Sequence, residues 1–324
     1  MKNSCLSEAS HLGKPENYTL IMHIMTCFEV PINLFGVYCI LFKTPKKMQS
    51  IKWPLLILQV LSSIDDFGVS YLGIPYIYFP FFAGFPLGVI NSPMLEVFSL
   101  IIMVGVIAAA ILSVFENRFF ILFGQNTCWG KIRIPYLIFN FLLTPIGWLP
   151  VYLTIPEQEY ALKVIKERMP CIPDSSRGLT VLTVDDTLFI YMSTFLVTAL
   201  TLQNLIFCGI LLLKMVRRNT STLSRNTLDL QRKFLFALTL QVIFPITVLV
   251  LPIAYYITSY SLHYYNQSMN NLLFCFVGSH GFLSTLIMVF VHQPYRKVTL
   301  YPISQLIPRK PTLAVISSTG PINN

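Results

Sequence analysis

Seven long apolar stretches divide this chain, and none of them contains a lysine or an arginine. They run at about Leu20–Phe42, Trp53–Tyr76, Met94–Phe115, Ile134–Leu153, Thr187–Leu213, Phe234–Thr258 and Leu272–Val291. Each has roughly the 20 residues that an α-helix rising 1.5 Å per residue needs to cross ~30 Å of hydrocarbon. Lipid offers the backbone no hydrogen-bonding partner, so each stretch is expected to be a helix. The expected fold is an all-α membrane protein, a seven-transmembrane helix bundle.

Composition supports this. Of 324 residues, 54% are hydrophobic and only 11% charged, against about 25% charged in soluble domains; the mean hydropathy is +0.65. Seven spans and their loops nearly exhaust the length, so one seven-helix domain over 1–291 and a tail over 292–324 are expected. The net charge of +9 raises nucleic acid as a partner, but its placement argues against it. Of the 23 Lys and Arg, 17 fall in the loops after spans one, three and five and in the tail, and 6 in the alternate loops and the amino-terminal segment. Positive residues mark the cytoplasmic face, so the amino terminus is expected outside and the carboxyl terminus in the cytoplasm.

The segment before span one lacks the pattern of a cleaved signal peptide, and span one is expected to act as an uncleaved anchor. Asn17-Tyr18-Thr19 and Asn266-Gln267-Ser268 are glycosylation sequons on the expected outer side; Asn219-Thr220-Ser221 falls on the inner side and should stay bare. Of seven cysteines, only Cys5 and Cys171 are expected on the oxidising side, which makes them a candidate disulfide. No spacing resembles a zinc site. Pro31, Pro75, Pro145, Pro245 and Pro252 fall within spans and invite kinks. The loop Tyr76 to Pro93 is aromatic, rich in Pro and Gly and uncharged; it suits an entrance lining or a dip into the outer leaflet. Glu157 to Met169 suits a short surface helix.

Ionisable groups inside a span are costly and are by default functional candidates. Glu29, Asp65, Asp66 and Glu96 qualify. Asn33 lies about 15 Å, and Asp65 about 18 Å, from the inner face by helical rise, and Glu29 is one turn from Asn33 on the same face. Glu29, Asn33, Asp65 and Asp66 therefore form a candidate buried polar cluster. With no Lys or Arg in any span, some of these acids must take up a proton, or a sodium ion at Asp65 or water must neutralise them. Adjacent Asp65 and Asp66 differ by about 100° around the helix, so only one is expected to face the centre. Glu96 reaches either the interface or a ligand cavity. At the inner end of span three, Glu116 and Arg118 in Phe115-Glu116-Asn117-Arg118-Phe119 suit a bistable switch, or simply an interfacial charge pair that ends the span. There is no phosphate loop and no His-Glu-x-x-His, the histidines are scattered, and an enzyme is not expected; neither is a cofactor.

The seven-span plan with Glu116-Asn117-Arg118 at the base of span three resembles the G-protein-coupled receptor superfamily. Further strings resemble the nematode serpentine chemoreceptors of class H (Srh): Cys5 followed by Pro15-Glu16 and Met22-His23-Ile24, then Phe115 to Phe119. Pro156-Glu157-Gln158 leading to Pro170-Cys171-Ile172-Pro173, and His292-Gln293-Pro294-Tyr295-Arg296, complete the set. The resemblance implies a plasma-membrane receptor in the cilia of chemosensory neurons, binding a small environmental chemical and signalling through a heterotrimeric G protein. It also matches Glu116 and Arg118 to the general receptor switch. The chain departs from the rhodopsin-like pattern elsewhere. No cysteine at the outer end of span three faces Cys171, span seven lacks Asn-Pro-x-x-Tyr, and no Cys-Trp-x-Pro precedes Pro245. The alternative from another class is a seven-span ligand-gated channel or transporter. Membrane lipids are expected partners of the basic loops, nucleic acid is not, and homo- or hetero-dimerisation is left open.

Overall fold

The computed structural model describes residues 11–168, 178–185, 187–217, 250–262 and 264–306, with isolated positions 243 and 247. The helices are α1 (Pro15–Lys43), α2 (Lys52–Phe67), α3 (Pro93–Phe119), α4 (Trp129–Leu153), α5 (Gln158–Arg168), α6 (Thr187–Arg217), α7 (Gln267–Gly278), α8 (His280–Val291) and α9 (Gln293–Leu306), and residues 250–261 are also helical. Among the described residues five helices are long and apolar enough to span a membrane, and α7 with α8, bent by 42° at Ser279, makes a sixth. They coincide with the expected spans one to five and seven. Most of the expected span six lies outside the described residues, as do Cys5, Cys171, Pro245 and Asn219.

The first helix shows how sequence becomes packing. Its buried residues are Tyr18, Met22, Thr26, Glu29, Asn33, Gly36, Cys39 and Ile40, a stripe with steps of three and four that puts one face inward. Leu20, Phe28, Leu34 and Phe42 on the other faces are exposed, as lipid-facing apolar residues should be. Pro31 sits within the helix.

Span two ends sooner than its hydropathy suggests. The α2 helix loosens into a π-helical turn over Gly68–Gly73 and stops at Ile74, whose φ of 53° is left-handed, a costly conformation for a β-branched residue. Pro75 has no amide hydrogen to continue a helix; it opens strand β1 (Pro75–Ile77), which pairs antiparallel with β2 (Ala83–Pro86). Strand β3 (Thr180–Val181) adds to β2 through Ala83↔Val181 and Gly84↔Thr180. The aromatic loop is thus a hairpin, packed into the bundle rather than laid on lipid: Tyr76, Ile77, Tyr78, Phe79, Phe82, Ala83 and Phe85 are all buried. The expected surface helix is α5, which buries Ala161 and Ile165 against this end.

Two apolar cores result. One, at the sheet end, gathers Tyr18, Met22, Val69, Phe82, Trp148, Phe189 and Phe274. The other, at the basic end, gathers Cys39, Ile40, Leu55, Leu112, Phe115, Leu211 and Tyr295. The tail begins as a helix, α9, tied to α1 by a 2.8 Å hydrogen bond between Tyr295 and Thr44 hydroxyls.

Candidate functional site

Between the two cores lies a polar layer contributed by α1, α2 and α8. The break at Ser279 makes α8 begin inside the bundle, so its first amide groups have no helical partner. The Asp66 carboxylate accepts from two of them, the N–H of Gly281 at 2.9 Å and of Phe282 at 2.7 Å. It caps a helix on a distant segment, where negative charge is favoured by the helix dipole. Asp66 also accepts from Asn33 Nδ2 at 3.0 Å. His280 Nδ1 lies 3.1 Å from Asp66 and 3.7 Å from Asp65, and 2.9 Å from the Val277 carbonyl. A carbonyl only accepts, so Nδ1 carries the proton.

The layer extends on both sides. Gln59 Nε2 donates to Thr285 at 2.7 Å and to Asn33 Oδ1 at 3.3 Å, and the Thr285 hydroxyl donates to Asn33 Oδ1 at 2.8 Å. Toward the sheet, Ser70 donates to Glu29 at 2.8 Å, and Thr26 donates to Ser70. The candidate residues Glu29, Asn33, Asp65 and Asp66 do come together. Both aspartates are buried and His280 lies against each of them, 3.1 Å from Asp66 and 3.7 Å from Asp65, although only one of the two was expected to face the centre. A partner missing from the sequence reading is this histidine. An imidazole at the start of an apolar run, just after a Gly-Ser pair that breaks a helix, was the available signal. A Cβ on Gly281 would lie 2.5 Å from Asp66, so the carboxylate approaches only because that residue is glycine.

At the basic end, Glu116 is fully buried. It accepts from Trp129 Nε1 at 2.7 Å and from Arg133 at 2.9 Å. Arg133 also donates to Asn117 at 3.2 Å and stacks 3.9 Å from the Phe120 ring centre. Residues two apart on a helix point to different faces, and Glu116 takes a partner from the start of α4 while Arg118 sits part-buried on another side of α3. Asn117 Nδ2 donates to Ser50 O at 2.9 Å, tying α3 to the turn before α2.

A cavity of about 150 Å3 lies among α3, α4, α6, α7 and the helical segment 250–261. Its walls are Leu100, Ile101, Trp148, Leu200, Ile253 and Leu273, among others, and Ile77, Phe79 and Phe82 of the hairpin form its roof. The roof is held on firmly. Phe82 packs 3.8 Å from Phe189 and 4.6 Å from Tyr256, centre to centre. Asn270 Nδ2 donates to the carbonyls of Ile77 and Phe79, and Leu182 N donates to Phe82 O. Gln158 brackets Val181 of β3, accepting from its N–H and donating to its carbonyl. Thr144 lines the cavity, is buried, and its hydroxyl has no hydrogen-bond partner among the described residues.

Glu96 does not line this cavity. It lies buried in the first turn of α3, on a separate void of about 10 Å3 beneath the sheet with Pro75, Tyr76 and Thr180. Asn17 is in the first turn of α1, its amide nitrogen donating to the His11 carbonyl at 2.9 Å. Asn266 caps α7 by accepting from Met269 N. Among the described residues no group of His, Cys, Asp and Glu is arranged to hold a metal ion.

These features define a polytopic membrane protein: an α-helical bundle with five or six candidate spans, a roofed apolar cavity and a buried polar layer beneath it. Residues 13–305 match the family "Serpentine type 7TM GPCR chemoreceptor Srh", and the chain belongs to that family. It is 25% identical over 303 residues to "Serpentine receptor class H-72" of Caenorhabditis elegans, covering 90% of this chain and 87% of the relative.

Proposed function

We propose that this chain is a seven-span chemosensory receptor that binds a small, largely apolar environmental chemical in the roofed cavity and signals through a heterotrimeric G protein. The apolar stretch over 234–258, helical where described, supplies the remaining span. The amino terminus and the sheet lie outside; the basic loops and α9 lie in the cytoplasm, where their positive charge meets the G protein and anionic lipid. The site is the plasma membrane of a sensory cilium. The chain carries out no catalysis and uses no cofactor.

The observation that carries this reading is the cavity itself, roofed and apolar, with a Thr144 hydroxyl that is unpartnered among the described residues to orient a ligand. A ligand between α3, α6 and the segment 250–261 biases their packing. At the other end of α3, Glu116 holds α4 through Arg133 and Trp129. Shifting α3 strains that clamp and changes the face a G protein meets.

The test is expression in a reporter cell with a panel of volatile and water-soluble odorants and a nucleotide-exchange readout. The reading expects a response that is lost in Arg118→Ala with normal surface delivery. Glycans at Asn17 and Asn266 are expected. A glycan at Asn219 alone inverts the topology and favours a channel or transporter instead.

A further inference from the structure

The hairpin covers the cavity toward the sheet, and toward the side a single layer of side chains bounds it. A groove of about 390 Å3 runs between α6 and the helical segment 250–261. Thr194, Val197, Ile253 and Ile257 line both this groove and the cavity, so the two spaces adjoin across one wall of side chains. The outer rim of the groove, Leu202, Leu205 and Val250, is exposed at the depth where hydrocarbon surrounds the bundle.

The groove is not uniformly apolar. Thr194, Thr198 and Thr201 lie in it at steps of four and three, one face of α6. The Thr201 hydroxyl is shielded and has no hydrogen-bond partner among the described residues. The same is true of Thr144 at the far side of the cavity. An unpaired hydroxyl in a low-dielectric site is unfavourable until something polar meets it. The path from lipid to cavity thus passes Thr201, Thr198 and Thr194 and ends at Thr144, with apolar side chains making up most of the rest.

We propose that the cavity is loaded from the hydrocarbon phase, through the groove between α6 and the segment 250–261, by a largely apolar molecule bearing one hydrogen-bonding group. This rests on the cavity being the ligand site. The roof stitched down by Asn270, Gln158 and Leu182 is then a fixed cover rather than the door. Ligands are ranked by partition into the membrane before they are ranked by fit.

Full-length protein in lipid nanodiscs, given a long-chain alcohol carrying a diazirine, tests this. The probe is added in the lipid, photolysed at intervals after mixing, and its adducts mapped by mass spectrometry. The expected order is Thr198 and Thr201 first, then Trp148 and Leu200. Thr198→Trp, at an exposed position of the groove, is expected to slow cavity labelling ten-fold or more. Ala254→Trp on the facing wall should do the same, so the result does not hang on one variant's folding. Gln158→Ala, which frees β3 from the roof without touching the cavity lining, should leave the rate unchanged. Cavity labelling that is indifferent to both tryptophans and faster in Gln158→Ala overturns the lateral route and leaves the cavity as a site filled from water. Labelling confined to the groove overturns the route and the cavity's role together.

Discussion

Replacing Asp66 with asparagine should damage this protein far more than the same change at its neighbour Asp65. Asp66 receives four donors: Asn33 Nδ2, the N–H groups of Gly281 and Phe282, and His280 Nδ1. An amide in its place presents one acceptor oxygen and one NH2. Whichever way it turns, donors on one side face a donor. That leaves about two buried donors unmet at ~1–3 kcal/mol each, or about 2–6 kcal/mol in all. Among the described residues Asp65 meets His280 at 3.7 Å and its Oδ2 makes no hydrogen bond, so Asp65→Asn forfeits about 1 kcal/mol or less. For a chain of this size 1 kcal/mol moves the midpoint by roughly 2 °C. Thermal unfolding in nanodiscs, followed by a thiol-reactive dye, should therefore show a fall of about 4–12 °C for Asp66→Asn and about 2 °C or less for Asp65→Asn. Equal losses, or a larger one at Asp65, would refute the account of Asp66 as the cap of α8.

Glu116→Gln weakens the ties to Arg133 and Trp129 and should raise agonist-independent nucleotide exchange, by about 5-fold or more if the clamp contributes the 1–3 kcal/mol usual for coupled states; unchanged basal exchange with normal surface delivery counts against the clamp. Gly281→Ala puts a methyl 2.5 Å from Asp66 and should cost about 1–3 kcal/mol, read as reduced surface expression, with Gly209→Ala, which meets nothing within 4 Å, as the neutral comparison. Burial pushes the His292 imidazole, at the end of α8, down to about 4. The unfolded chain takes up that proton first, near pH 6.5, so the contribution of His292 is complete above pH 6.5 and declines as pH falls toward 4, by about 1.4 kcal/mol per unit. The purified protein should melt earlier at pH 5 than at pH 7, and His292→Gln should flatten that slope; an identical slope in the variant removes His292 as its source.

The candidate polar layer was half legible. Glu29 and Asn33 could be placed on one face because the α1 stripe repeats every three to four residues, and the level of Asp65 and Asp66 followed from helical rise and a short loop. Their partner His280 could not, because the pairing joins the end of α2 to the start of α8, far apart in sequence, and depends on where α7 breaks. Likewise Glu116 was visible as an acid at the inner end of span three, while Trp129 and Arg133 became its partners only once α4 packed against the end of α3. Glu96 kept its place in the first turn of α3, but the hairpin above it decided which void it meets.

Hydropathy is a local property set against a fixed thickness of lipid, which is why the helical character of the chain and the ends of most helices could be read directly from the order of residues. The end of α2 was the exception, since Pro75 and a left-handed Ile74 stop a helix inside an apolar run and free the next aromatics to pair as strands. The sheet roof, the cavity under it and the cap on α8 are agreements between distant segments. Each depends on the packing angle of whole helices, which no neighbouring residues specify, so only the folded bundle could decide them.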